Sequence, residues 1–111
     1  MKLSNVFLNM PNDNQSEIFE TIADLKNVRI ERIISSGQAT PAGQWYDQAQ
    51  DEWVILLAGS AEISLEEQQE TFKLVAGDYL LIPSHCRHRV ECTDQTQQTI
   101  WLAVHVGEVS E

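Results

Sequence analysis

A chain of 111 residues can bury one hydrophobic core and no more. With 17 Asp and Glu against 7 Lys and Arg, its formal charge of −10 argues against a nucleic-acid backbone or an anionic membrane as partner. No run approaches the ~20 apolar residues of a membrane span, the opening MKLSNVFLNMPND has no signal-like apolar segment, and Cys86 and Cys92 alone make no disulfide framework. A single domain over 1–111, cytoplasmic and with free thiols, is the expectation.

In chain order, SEIFETIADLKN (16–27) sets Ile18, Phe19, Ile22 and Leu25 at helical spacing behind Ser16 as an N-cap, which predicts a short N-terminal helix. Short β-like runs follow: VRIERIIS (28–35), QWYDQ (44–48), EWVILLAG (52–59), AEISL (61–65), ETFKLVAG (70–77), DYLLIP (78–83), HRVECT (88–93) and TIWLAVHV (99–106). Many short strands punctuated by Gly, Pro and Asp predict an all-β sandwich or small barrel over about 28–106. The polar stretch 37–44 reads as a flexible lip from which Gln38 could reach a ligand.

Facing limits what each residue can do. In HRVECT, period-two alternation sends His88, Val90 and Cys92 to the core face and Arg87, Arg89 and Glu91 toward solvent. EWVILLAG is apolar on both faces, with Glu52, Val54 and Leu56 on one and Trp53, Ile55 and Leu57 on the other. Such a strand is buried on both sides. In so short a chain the second cover is expected to be another subunit, giving a homodimer.

Two segments carry polar groups onto inward faces. In the first, Glu52 starts an apolar strand that Gly59 ends seven residues later. In the second, Gly77 is followed after five residues by Pro83, and His88 stands five positions further on. Together they resemble the two motifs of the cupin family. The first motif ends in His-x-His, three or four residues, Glu, six residues, Gly; the second runs Gly, five residues, Pro-x-Gly, two residues, His, three residues, Asn. The resemblance implies a small single-domain cupin, a double-stranded β-helix or jelly-roll barrel. Glu52 and His88 then stand at two of the family's metal-ligand positions. The first-motif histidines are replaced, by Tyr46-x-Gln48 or Trp45-x-Asp47 according to the spacing, and the second motif has His85 for Gly and Cys92 for Asn.

These residues leave several readings open. One divalent ion (Zn, Fe, Mn or Ni) could be held by Glu52 and His88 with Asp47 or Gln48 as a third donor, and His85 or His105 could join them. The metal could then polarise a bound small molecule. Alternatively the barrel has lost its metal and binds an organic ligand, with Gln38, Tyr46, Trp53 and His105 as candidate contacts, or it serves as a structural homodimer. In the plainer reading His88 is a core-facing histidine satisfied by a backbone carbonyl or by Tyr46, and Cys92 is a small buried hydrophobe. Cupins host many activities, so the fold does not choose among these.

Overall fold

The structure, a computed structural model, describes residues 1–11, 14–68 and 70–108. Among these residues eight strands follow one another: β1 (Ile18–Leu25), β2 (Val28–Ser35), β3 (Asp51–Ala58), β4 (Ser60–Leu65), β5 (Thr71–Val75), β6 (Tyr79–Ile82), β7 (His88–Thr93) and β8 (Thr99–Val106). They form a five-stranded sheet in the order β1-β2-β8-β3-β6 and a three-stranded sheet in the order β5-β4-β7. Every strand pair is antiparallel. This is the all-β jelly-roll architecture expected from the strand pattern.

The core fills the space between the sheets. Val54, Leu56, Ala61, Ile63, Leu74, Ile82, Trp101 and Ala103 form one buried cluster with contributions from both. Leu56 is wholly enclosed, so its truncation to Ala carries a cost of about 2–5 kcal/mol. Gly59, at the β3–β4 corner, has a φ of +86°, and a Cβ there would lie 2.5 Å from Thr99 Oγ1 and 2.8 Å from Thr99 Cα. Only glycine fits so close to the backbone of β8.

The predicted helix over 16–27 is instead strand β1, paired along its length with β2. A β-bulge between Thr21 and Ala23 adds Ile22 to the strand, and that extra residue turns a two-residue period into the four-then-three spacing of Ile18, Ile22 and Leu25. Long-range pairing with β2 outweighs the local pattern. A second bulge corrects the facing of Cys92. Glu62 pairs with Cys92 but Ile63 with Val90, so Glu91 is the extra residue. His88 and Val90 point inward as expected, but beyond the bulge the phase shifts. Thr93 is buried in place of Cys92, and Cys92 points outward to give its thiol proton to Glu62 Oε2 at 2.8 Å.

The segment expected as a strand at 44–48 makes only a single bridge, between Tyr46 and His88. The lip before it is bound rather than free. Thr40 N donates to Val90 O, Val90 N donates to Thr40 Oγ1, and Arg89 spans the carbonyls of Thr40, Pro41 and Gln44. These bonds satisfy the open edge of β7. On the outer face of the large sheet, Arg32 is buried against the N-terminal segment, donating to the carbonyls of Val6, Leu8 and Asn9 and to Glu20.

Candidate functional site

Cross-strand register builds the site. Residues directly opposite one another in a sheet share a face, and one row runs Arg29 (β2), His105 (β8), Glu52 (β3), Ile82 (β6). The next row inward on the same face is Glu31, Ala103, Val54 and Leu80, and the one beyond it Ile33, Trp101 and Leu56. The inner face therefore grades from polar to apolar along the barrel. His88 and Val90 of β7 and Ile63 of β4 face it from the small sheet, and the space between is a cavity of about 280 Å³.

Four residues meet at the polar end. Glu52 and His88 are both buried, with Glu52 Oε1 3.7 Å from His88 Nε2. Gln48 Nε2 donates to the same carboxylate oxygen at 2.6 Å. His88 Nδ1 lies 2.9 Å from the Cys86 carbonyl, which can only accept, so Nδ1 carries a proton and Nε2 is the nitrogen turned to Glu52. The Tyr46 ring leans on the His88 ring at a centroid distance of 5.6 Å. Burial, reinforced by repulsion from Glu17, raises the Tyr46 phenol above its ordinary value.

A second cluster lies beside the first. His105 Nε2 is 2.8 Å from Glu31 Oε1, while His105 Nδ1 is buried with no hydrogen-bond partner among the described residues. Arg29 Nε is likewise buried and unpartnered, 3.8 Å from Glu31 Oε2. Deeper on the wall, Trp101 Nε1 donates to Ser35 Oγ, which in turn donates to Glu17 Oε2 at 2.5 Å. Burial raises the Glu17 carboxyl above its ordinary value, against the opposing effect of the Ser35 bond.

Of the residues singled out in the sequence, Tyr46, Gln48, Glu52, His88 and His105 line this one cavity. The remaining three lie elsewhere. Asp47 is turned to the surface, where it meets His85 Nδ1 at 2.9 Å. Trp53 is on the outer face, its ring tilted against that of Tyr79 at a centroid distance of 5.5 Å. Gln38 takes a hydrogen bond from Ser36 N and gives one to Asn14 O, away from the cavity. Between the two motif spacings, it is Tyr46-x-Gln48 that places both side chains at Glu52. Glu17, Arg29 and Glu31 also line the cavity and were missed. In VRIERIIS, Arg29 and Glu31 alternate with Val28 and Ile30, a pattern that reads as a solvent face, yet these two line the cavity while Arg32 is on the outer face.

The donor set does not fit a resident divalent ion. Tyr46 and Gln48 stand where a metal-binding cupin has its two histidines, and the Gln48 N–H is aimed at Glu52 rather than withdrawn from it. Among the described residues no three His, Cys, Asp or Glu side chains are grouped to hold a metal. Glu52 and His88 remain as two donors where such a site needs at least three.

A jelly roll with Glu52 and His88 converging on its interior at the motif positions defines a cupin. The chain belongs to the cupin family, with residues 33–105 matching the Cupin domain. A crystal structure from Ralstonia eutropha JMP134, carrying the provisional designation mannose-6-phosphate isomerase, is similar over 98% of this chain and 100% of that one, at 46% identity and a TM-score of 0.92. The polyketide cyclase RemF of Streptomyces resistomycificus shares the fold over 96% of this chain and 79% of its own, at 17% identity and a TM-score of 0.75. A cupin of Methanocaldococcus jannaschii with a double-stranded β-helix does so over 90% and 88%, at 16% identity and 0.69. Comparison with curated proteins gives no match. Among the described residues no helix is long and apolar enough to cross a membrane.

Proposed function

We propose that this cupin binds a small organic molecule in the barrel and moves a proton on it, as an isomerase does, with Glu52 as the base and His88 Nε2 accepting from the adjacent hydroxyl. The observation that carries the reading is the buried Glu52–His88 pair at the polar end of an apolar-walled cavity. A separation of 3.7 Å is too long for a direct hydrogen bond. It leaves both groups free to engage a third. The isomerase designation of the 46%-identical relative supports the reaction class.

The chemistry balances without redox. Glu52 takes a proton from the hydroxyl-bearing carbon next to a carbonyl. That C–H pair becomes the enediol double bond and the carbonyl π pair moves onto its oxygen, which takes up the proton of the neighbouring hydroxyl by way of His88 Nε2. The carbonyl then re-forms at that neighbouring oxygen, the double-bond pair takes the proton back from Glu52 at the former carbonyl carbon, and both side chains end as they began. A fixed carboxylate at the polar end of an apolar-walled cavity suits this role, and general-base catalysis contributes roughly 10²–10⁴-fold. Gln48 orients Glu52, and the Cys86 carbonyl fixes the His88 ring.

The test is proton exchange in D₂O, followed by NMR, with a panel of aldoses, ketoses and their phosphates. Deuterium entering at the carbon beside the carbonyl is the expected result. A ligand that binds in the cavity without exchange would replace this reading with a carrier or sensor, the second function the aromatic and apolar lining admits.

A further inference from the structure

Resting on the reading of the cavity as a small-molecule site, we infer that its ligand is an uncharged, polyhydroxylated molecule, one hydroxyl of which is held between Arg29 Nε and His105 Nδ1. Two independent observations lead there: the unused hydrogen-bonding atoms of the wall, and its charge.

The unused atoms define the group that fits. Glu31 accepts the Nε2 proton of His105, so His105 Nδ1 is left as an acceptor with no partner, on a residue only 5% exposed. Arg29 Nε is a donor with no partner. Arg29 and His105 are direct register neighbours on β2 and β8, and both line the cavity. A buried donor or acceptor left unpaired costs about 1–3 kcal/mol. The two vacancies are complementary: the ligand group must accept from Arg29 and donate to His105. A hydroxyl does both, whereas a carbonyl or an ionised phosphate oxygen only accepts. Glu52 on the neighbouring strand β3 and His88 facing it from β7 of the small sheet are placed for further hydroxyls, and Ile33, Val54 and Trp101 present the apolar surface on which a sugar's C–H face rests.

Charge excludes the anionic alternative. Glu17, Glu31 and Glu52 line the cavity, and Arg29 is the one Lys or Arg among its lining residues. That single cation already lies against Glu31. A phosphate dianion would enter a wall of carboxylates in a chain of formal charge −10 without a free cation to receive it. The ligand class thus differs from the phosphosugar in the relative's designation.

The experiment is binding to the full chain near neutral pH, read by ligand-observed NMR and calorimetry, with mannose, mannitol and myo-inositol against mannose 6-phosphate. A neutral polyol should bind in the millimolar range or tighter, and the phosphate at least about tenfold more weakly. Arg29→Met and His105→Phe should each weaken the neutral ligand about tenfold, the factor expected for one buried hydrogen bond to a charged or fixed group. Tighter or equal binding of mannose 6-phosphate overturns the inference, as does unchanged polyol binding in the two variants or no polyol binding at about 10 mM. The wild-type comparison stands even if a variant fails to fold. Polyol binding by the wild-type chain with no proton exchange on any member of the sugar panel would sink the isomerase reading and leave this one intact.

Discussion

His88 holds the Cys86 carbonyl through Nδ1 at 2.9 Å and turns Nε2 toward Glu52 Oε1 across 3.7 Å, so one ring links the backbone of the β6–β7 turn to the carboxylate of β3. Glu52→Gln keeps the Gln48 contact and the side-chain volume but removes the base. Exchange activity should fall by about 10²–10⁴-fold, while stability should stay within about 1 kcal/mol of wild type. Wild-type exchange rates in that variant would show that another group carries the proton.

Glu17 gives a pH signature with a defined sign. Its folded pKa is raised by burial above the ordinary 4.5, so the folded chain holds that proton more tightly than the unfolded one. Stability from this group is therefore greatest at low pH, falls as pH rises through the carboxylate range, and is flat above the raised value. Glu17→Gln should raise the melting temperature at neutral pH, the neutral amide oxygen still accepting from Ser35. The gain should shrink as pH is lowered toward 4.5. Calorimetry at several pH values checks it, and a gain that grew on acidification would contradict the assignment.

The thiols should titrate as two free groups, since neither cysteine is bonded to the other. Cys92 donates its proton to Glu62, and that bond, with burial and the carboxylate's charge, raises the thiol pKa. Less thiolate means slower reaction at a given pH. Glu62→Gln should therefore accelerate alkylation of Cys92, followed by mass spectrometry, and leave Cys86 unchanged. An unaltered Cys92 rate would mean that access, not the carboxylate, controls it.

We propose that two chains pair through the outer face of the large sheet. Trp53 and Tyr79 pack against each other there, and Tyr79 and Leu81 on the edge strand β6 remain 64% and 66% exposed. With Ile55 and Leu57 half-buried alongside, the row is a patch that a monomer would leave in water. Sedimentation should find a dimer, and Leu81→Glu, an exposed substitution that spares the core, should shift it to monomer. A well-behaved wild-type monomer at micromolar concentration would end the proposal.

The strands from β2 onward were legible because turn residues separate runs of consistent period, and Glu52 and His88 because their spacing to Gly59 and Pro83 is distinctive. Two of the misreadings, the helix over 16–27 and the facing of Cys92, have one physical origin. Ile22 and Glu91 are bulge residues that lengthen a strand without adding a pair to its ladder. A period counted along the sequence includes them. One turned β1 into an apparent helix, and the other placed Cys92 on the wrong face. Arg29 and Glu31 stayed hidden for a different reason. Alternation separates two faces but does not say which is inside, and in β2 the apolar face is the outer one, covered in part by the N-terminal segment that Arg32 secures.

That attachment has a consequence of its own. Arg32 grips residues 6–9 through the carbonyl oxygens of Val6, Leu8 and Asn9, while its charge is met separately by Glu20 at 2.6 Å. Carbonyls neither titrate nor carry a net charge, so the strap can detach and return without leaving an ion unbalanced. Its grip is set by hydrogen bonds from a guanidinium, among the stronger kinds. Acidification or salt should loosen the Arg32–Glu20 pair well before it loosens the strap.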